Sequence, residues 1–127
     1  MQNIYIKSGT TAKISISPKI NGEVATSSQL AGMTIYVFFV HQFTNKVYGE
    51  PYALTADSSY NNTQRLTITL SPSDTIDMLG NATDNQKFEI QFAIKNADGD
   101  VIAEEKDSSI FVNITRWEAG KWLHQNQ

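Results

Sequence analysis

The sequence predicts an all-β protein, an antiparallel β-sandwich with one short helix near residues 72–79, and three observations predict it. Residues 87–102, KFEIQFAIKNADGDVI, alternate Phe88, Ile90, Phe92 and Ile94 with Glu89, Gln91, Ala93 and Lys95, the period-two signature of a strand with one buried face. Asp98-Gly99 then reverses the chain into a second strand near Val101, because a tight hairpin turn needs the positive φ that glycine adopts freely. The rest of the chain repeats this grammar of short alternating apolar runs separated by Ser, Thr, Asn and Gly.

Taken in order, residues 3–7 and 12–17 alternate, with Ile4, Ile6, Ile14 and Ile16 inward and Ser8-Gly9-Thr10 as the turn between them. Pro18 closes the second strand or sits at its edge, since it has no N–H to give a ladder. Asn21-Gly22 is a two-residue hairpin signal, and Ser27-Ser28-Gln29 reads as a looser connection after it. Residues 34–40, TIYVFFV, are apolar on both faces, which predicts a central strand with the core on one side and a covered or contacting surface on the other. Residues 41–62 mix Tyr48, Tyr52 and Leu54 with Asn45, Gly49, Pro51 and Asp57, the composition of one or two short edge strands and a long loop.

Residues 65–70 alternate Leu66, Ile68 and Leu70 with threonines, another half-buried strand. Ser71-Pro72-Ser73-Asp74 supplies a capping hydroxyl, a proline at the first helical position and an acid in the first turn, and Gly80 supplies a left-handed stop. Residues 72–79 are therefore predicted as about two turns of helix. Ile110, Val112 and Ile114 predict a separate last strand over 109–115. Seven or so short strands with a helical corner before the long strand favour an immunoglobulin-like sandwich over residues 1–115, followed by a tail over 116–127. With no cysteine and no suitably placed central Trp, an antibody-type domain is excluded.

Composition bounds the function classes. The 127 residues suffice for one domain, which removes roughly two thirds of its unfolded surface from water. A net charge of -3, a pI near 5.2 and ten scattered Lys and Arg residues argue against binding to a phosphate backbone. Zero cysteines removes disulfides, thiolate metal sites and cysteine nucleophiles together. Residues 1–7 lack the basic start and apolar core of a secretory signal. The longest apolar run, residues 35–40, falls far below the roughly twenty residues of a membrane span. A soluble protein made in a cytoplasm, without membrane or nucleic-acid partners, is expected.

Patterns for chemistry are weak. His41 and His124 are the only histidines and lie far apart. Asn96, Asp98 and Asp100 match the first three oxygen positions of a calcium loop, but Val101 stands where glycine is required, so a hairpin turn is the better account. Glu104 and Glu105 point to opposite faces of a strand and do not present two carboxylates to one substrate. Asn61, Asn81 and Asn113 form Asn-X-Thr sequons, which chance explains in a chain this rich in Asn and Thr. No Gly-X-Ser-X-Gly elbow or phosphate-cradling glycine loop occurs. No catalytic, cofactor-binding or metal-ligating residue is assigned, and an enzyme is not expected.

Binding is better supported. The tail carries Arg116, Trp117, Lys121, Trp122 and Leu123 beyond the last strand, with Gly120 weakening any helix that would tuck them away. Trp and Arg anchor interfaces because a planar group buries large area at little entropic cost. The plainer reading has Trp117 capping the open end of the domain and Trp122 folding back onto the sheet. A second candidate surface consists of Tyr48, Tyr52 and Tyr60, loop aromatics that would stack on sugars if they lined one concave surface.

Leu30-Ala31-Gly32-Met33-Thr34-Ile35-Tyr36-Val37, then Leu66-Thr67-Ile68-Thr69-Leu70-Ser71-Pro72-Ser73-Asp74-Thr75, then Phe88-Glu89-Ile90-Gln91-Phe92 with Asp98-Gly99-Asp100-Val101-Ile102, resemble the immunoglobulin-like domains of tailed-phage structural proteins. The pattern is similar to the N-terminal domain of baseplate upper proteins, and the Asn- and Thr-rich composition is similar to capsid proteins of crAss-like phages. The polar stretch over residues 81–86 is longer than the family pattern leads one to expect. The resemblance implies a virion protein assembled in the host cytoplasm. It is read first as an auxiliary or decoration protein bound in many copies to the major capsid protein, and second as a tail or baseplate adaptor. A host-surface or glycan-binding module is the alternative from another class.

Overall fold

The computed structural model describes residues 2–48, 51–56, 60, 64–80 and 85–115, and shows an all-β sandwich with two short helices. Alternation in sequence becomes alternation in burial: Leu66, Ile68 and Leu70 are buried while Thr67 and Thr69 between them face water. The strands are β1 (Gln2–Lys7), β2 (Ala12–Ile16), β3 (Lys19–Ile20), β4 (Glu23–Val24), β5 (Thr34–His41), β6 (Tyr52–Leu54), β7 (Leu66–Leu70), β8 (Gln86–Lys95) and β9 (Val101–Thr115). Helix α1 (Ser27–Leu30) lies between β4 and β5, and α2 (Pro72–Leu79) between β7 and β8.

Five strands form one sheet in the order β1-β9-β8-β5-β6, β2 pairs with β7 in a second sheet, and β3 and β4 form a small hairpin. Among the described residues all pairings are antiparallel except β1 with β9, which run parallel from Gln2 opposite Ile110 to Lys7 opposite Thr115. This arrangement is immunoglobulin-like: β5, β6, β8 and β9 occupy the places of C, C′, F and G, and β2 and β7 those of B and E. One core lies between the sheets, with Ile14, Ile16 and Ile68 from the smaller sheet and Ile35, Val37, Phe39, Ile90 and Phe92 from the larger.

Local sequence explains both helices. Ser71 caps α2 by accepting the Asp74 amide at 3.1 Å, and the Asp74 carboxylate accepts the Ser71 amide at 2.9 Å, a reciprocal capping box. Thr26 and Gln29 build the same box on α1, so the expected loose connection is a helical turn that buries Leu30. Thr75 of α2 is fully buried; its Oγ1 accepts the Gly9 amide at 2.9 Å and lies 3.0 Å from the carbonyls of Thr10 and Pro72, to either of which it donates. That hydroxyl clips the helix to the turn between β1 and β2.

The expected separate strand over 109–115 is instead the second half of β9, which runs unbroken from Val101 to Thr115. Ile90 pairs with Asp107 while the adjacent Glu89 pairs with Phe111, so residues 108–110 have no partner on β8. An odd number of inserted residues reverses which face the alternation presents. Ala103 and Glu105 share the inner face before the shift, and Val112 and Ile114 share it after. That phase change made one strand read as two. The inward Glu105 is matched by the β3–β4 turn, where Asn21 and Gly22 both have positive φ and the Gly22 amide donates to Glu105 Oε1 at 2.8 Å.

Candidate functional site

The three candidate tyrosines do not share a surface. Tyr60 is 0 % exposed, and its hydroxyl donates to the Ala25 carbonyl at 2.7 Å. It is a core side chain with a satisfied polar tip, and its place in a sugar platform is corrected accordingly. Tyr48 and Tyr52 do come together, at the inner edge of the larger sheet: the Tyr48 amide donates to Phe39 O at 2.8 Å, and Tyr52 pairs with Val37. The Tyr52 ring meets Phe39 edge-on at 5.7 Å, and its hydroxyl bonds the Asp74 carboxylate of α2. Both rings are half-buried against the core, closing the gap between β6 and α2.

Burial, then the charge of Asp74, pushes the Tyr52 phenol well above its ordinary value, and burial with Asp74 and Asp77 raises Tyr48 as well. The folded state thus holds these protons more tightly than the unfolded chain. Their contribution to stability is complete below the ordinary tyrosine value of about 10 and is lost as pH rises through the folded value. Stability in urea is expected to fall above about pH 10, and Tyr52→Phe to make that fall shallower. Identical slopes in the two proteins would remove Tyr52 from the effect.

The outer face of the five-stranded sheet is aromatic where simple alternation would place polar residues. Register puts Tyr36 beside Ala93, Phe38 beside Gln91, and Val40 beside Glu89, which in turn faces Phe111. Phe111 is buried although it points away from the core; the Lys87 ammonium lies 4.4 Å from its ring centre, and Lys95 lies 5.3 Å from that of Tyr36. Such contacts lay the lysine stems over apolar surface while their charges stay wet. A hollow of about 380 Å³ opens here, lined by Phe38, Gln91, Phe92, Ala93, Glu104 and Glu105. Tyr5 of β1 extends the face and is 66 % exposed. The apolar run over 34–40 signals half of this surface, and Phe111, between the inward Ile110 and Val112, is the sequence signal for the rest.

Other singled-out residues have structural employment. Asn96 Oδ1 accepts the amides of Asp98 at 3.0 Å and Asp100 at 2.9 Å, so it shapes the β8–β9 hairpin rather than a cation loop. The Asn113 side-chain amide donates to Asn3 Oδ1 and Ile4 O, at 3.3 and 3.4 Å. Among the described residues no group of three His, Asp or Glu is arranged to hold a metal ion, and no helix is long and apolar enough to cross a membrane. Arg116, Trp117, Lys121, Trp122 and Leu123 lie outside the described residues, as do Asn61 and Asn81. No family model matches this chain, and no curated protein matches it.

Proposed function

We propose that this chain is a non-enzymatic structural protein of a tailed-phage virion, an auxiliary protein bound in many copies to the capsid surface. The observation that carries the reading is the aromatic outer face of the five-stranded sheet, from Tyr36 and Phe38 across to Phe111. Aromatic rings with a polar rim and long cationic side chains are the composition of protein interfaces, and the half-buried Tyr36 and Phe38, with the exposed Tyr5 on the same sheet face, support docking to another protein. The resemblance of residues 30–37, 66–75 and 88–102 to phage immunoglobulin-like domains supplies the kind of partner, the major capsid protein. The glycan alternative loses one of its three tyrosines, since Tyr60 is buried.

Density-gradient separation of particles from the source lysate tests the proposal, with heads and tails probed for this chain and copies counted per particle. Recovery with heads in many copies is the expected result. A few copies with tails would move the protein to the baseplate, and absence from both would overturn the virion reading. Deleting residues 116–127 is expected to leave a cooperatively folding domain, because the described core draws its buried residues from Ile6 to Ile114, and to abolish recovery with heads. Undiminished recovery would exclude the tail as an anchor.

A further inference from the structure

The hairpin between β5 and β6 carries a side chain whose acid–base chemistry nothing above uses. His41, the last residue of β5, is half-buried, with its ring 5.4 Å from Phe88 in an edge-on contact and 6.1 Å from Phe43. Its Nε2 lies 2.6 Å from Gln86 Oε1, and the Gln86 amide nitrogen donates to Asn85 O, which fixes the orientation of that side chain. Because Oε1 only accepts, Nε2 carries the proton. Nδ1 is then an acceptor, and it receives two backbone amides, from Phe43 at 3.2 Å and Thr44 at 3.3 Å.

The imidazole therefore does for this turn what an Asn or Ser oxygen does at a helix N-cap. The Asn45 amide donates to His41 O, the His41 amide donates to Lys46 O, and Asn45 sits at φ +58°, so residues 41–46 form one tight turn closed around the ring. At its tip Phe43 is 80 % exposed, the most exposed large apolar side chain among the described residues. Among the described residues, the groups facing the ring are Gln86 and Phe88 from β8, and Phe43 and Thr44 from its own hairpin. Lys87 and Glu89 flank Phe88 and alternate to the opposite face, while Lys46 meets His41 through its backbone carbonyl.

We propose that His41 is a protonation-operated latch on the β5–β6 hairpin: neutral, its Nδ1 holds the turn that presents Phe43; protonated, it releases that turn. Adding a proton at Nδ1 converts the acceptor into a donor pointing at two other donors, so both amide bonds are lost in one step. The bond from Nε2 to Gln86 survives, which keeps the ring in place and confines the change to the tip. Any contact made through Phe43 would then weaken on protonation of the ring. The inference concerns the turn itself and stands apart from the proposed place in a virion.

A nitrogen-15 NMR titration of the full chain, from roughly pH 8 to 4.5 to span the range in which histidine changes charge, tests it. Expected are the Nε2–H tautomer at pH 8, Phe43 and Thr44 amide shifts that move with the His41 midpoint, and exchange of those amides about tenfold faster once His41 is charged, after correction for the intrinsic pH dependence. His41→Asn offers a side-chain oxygen that does not titrate, and is expected to keep the turn closed at both ends of the range. An Nδ1–H tautomer, amides that stay protected while His41 titrates, or a His41 that remains neutral to pH 4.5 would each overturn the latch.

Discussion

Phe39→Ala is expected to cost about 3–5 kcal/mol in urea unfolding, while Phe38→Ala, one residue away, costs about 1 kcal/mol. The side chains are the same; the faces are not. Phe39 is 1 % exposed between the sheets and meets the edge of the Tyr52 ring, so truncation opens a cavity and removes the ring that sets Tyr52 against Asp74. Phe38 sits half-buried on the outer face beside Gln91, where water refills the space. The larger loss is a substantial share of the roughly 5–15 kcal/mol that holds a domain together. The effect on assembly is expected to run the other way: Phe38→Ala reduces recovery with heads despite a nearly intact fold. Equal unfolding costs for the two variants would contradict the assignment of inner and outer faces on β5.

Thr75→Val is expected to cost about 1–3 kcal/mol, more than its nearly unchanged volume accounts for. Valine fills the same space but has no hydroxyl, which removes the 2.9 Å bond accepted from the Gly9 amide and the bond the hydroxyl donates to the carbonyl of Thr10 or Pro72. Thr75→Ser keeps the oxygen and loses one methyl, and is expected to cost about 1 kcal/mol. Thermal unfolding of both variants separates the hydroxyl from the packing. A serine variant less stable than the valine variant would show that the methyl, rather than the hydrogen bond, secures α2 to the first turn.

Features encoded within about ten residues were legible in the sequence. The helix expected over 72–79 is observed as Pro72–Leu79 because its cap, first-turn acid and terminal glycine are contiguous. The strands around Ile14, Ile68 and Phe92 follow their alternation, and the Asn21-Gly22 and Asp98-Gly99 turns form where expected. What escaped depends on partners remote in sequence. Tyr60 lies among polar residues in the sequence, and the carbonyl that satisfies its buried hydroxyl is 35 positions away. Register turns Glu105 inward, and the amide that meets its carboxylate is 83 positions away. β9 reads as two strands in the sequence because its alternation changes phase at a register shift that only β8 reveals. Of the interaction surface, the doubly apolar β5 was readable, but the cross-strand row joining Val40, Glu89 and Phe111 appears only once register is fixed.

The parallel pairing of β1 with β9 gives the domain a mechanical character. Tension applied through residue 2 at one end and residue 115 at the other pulls the two strands along their own axes in opposite directions. All six register pairs, from Gln2 with Ile110 to Lys7 with Thr115, are then loaded together. An antiparallel pair pulled from one end would open like a zipper, one bond at a time; this geometry is a shear joint, in which no bond yields before its neighbours share the force. A domain held under tension through the outer ends of these two strands would meet the load along all six pairs at once.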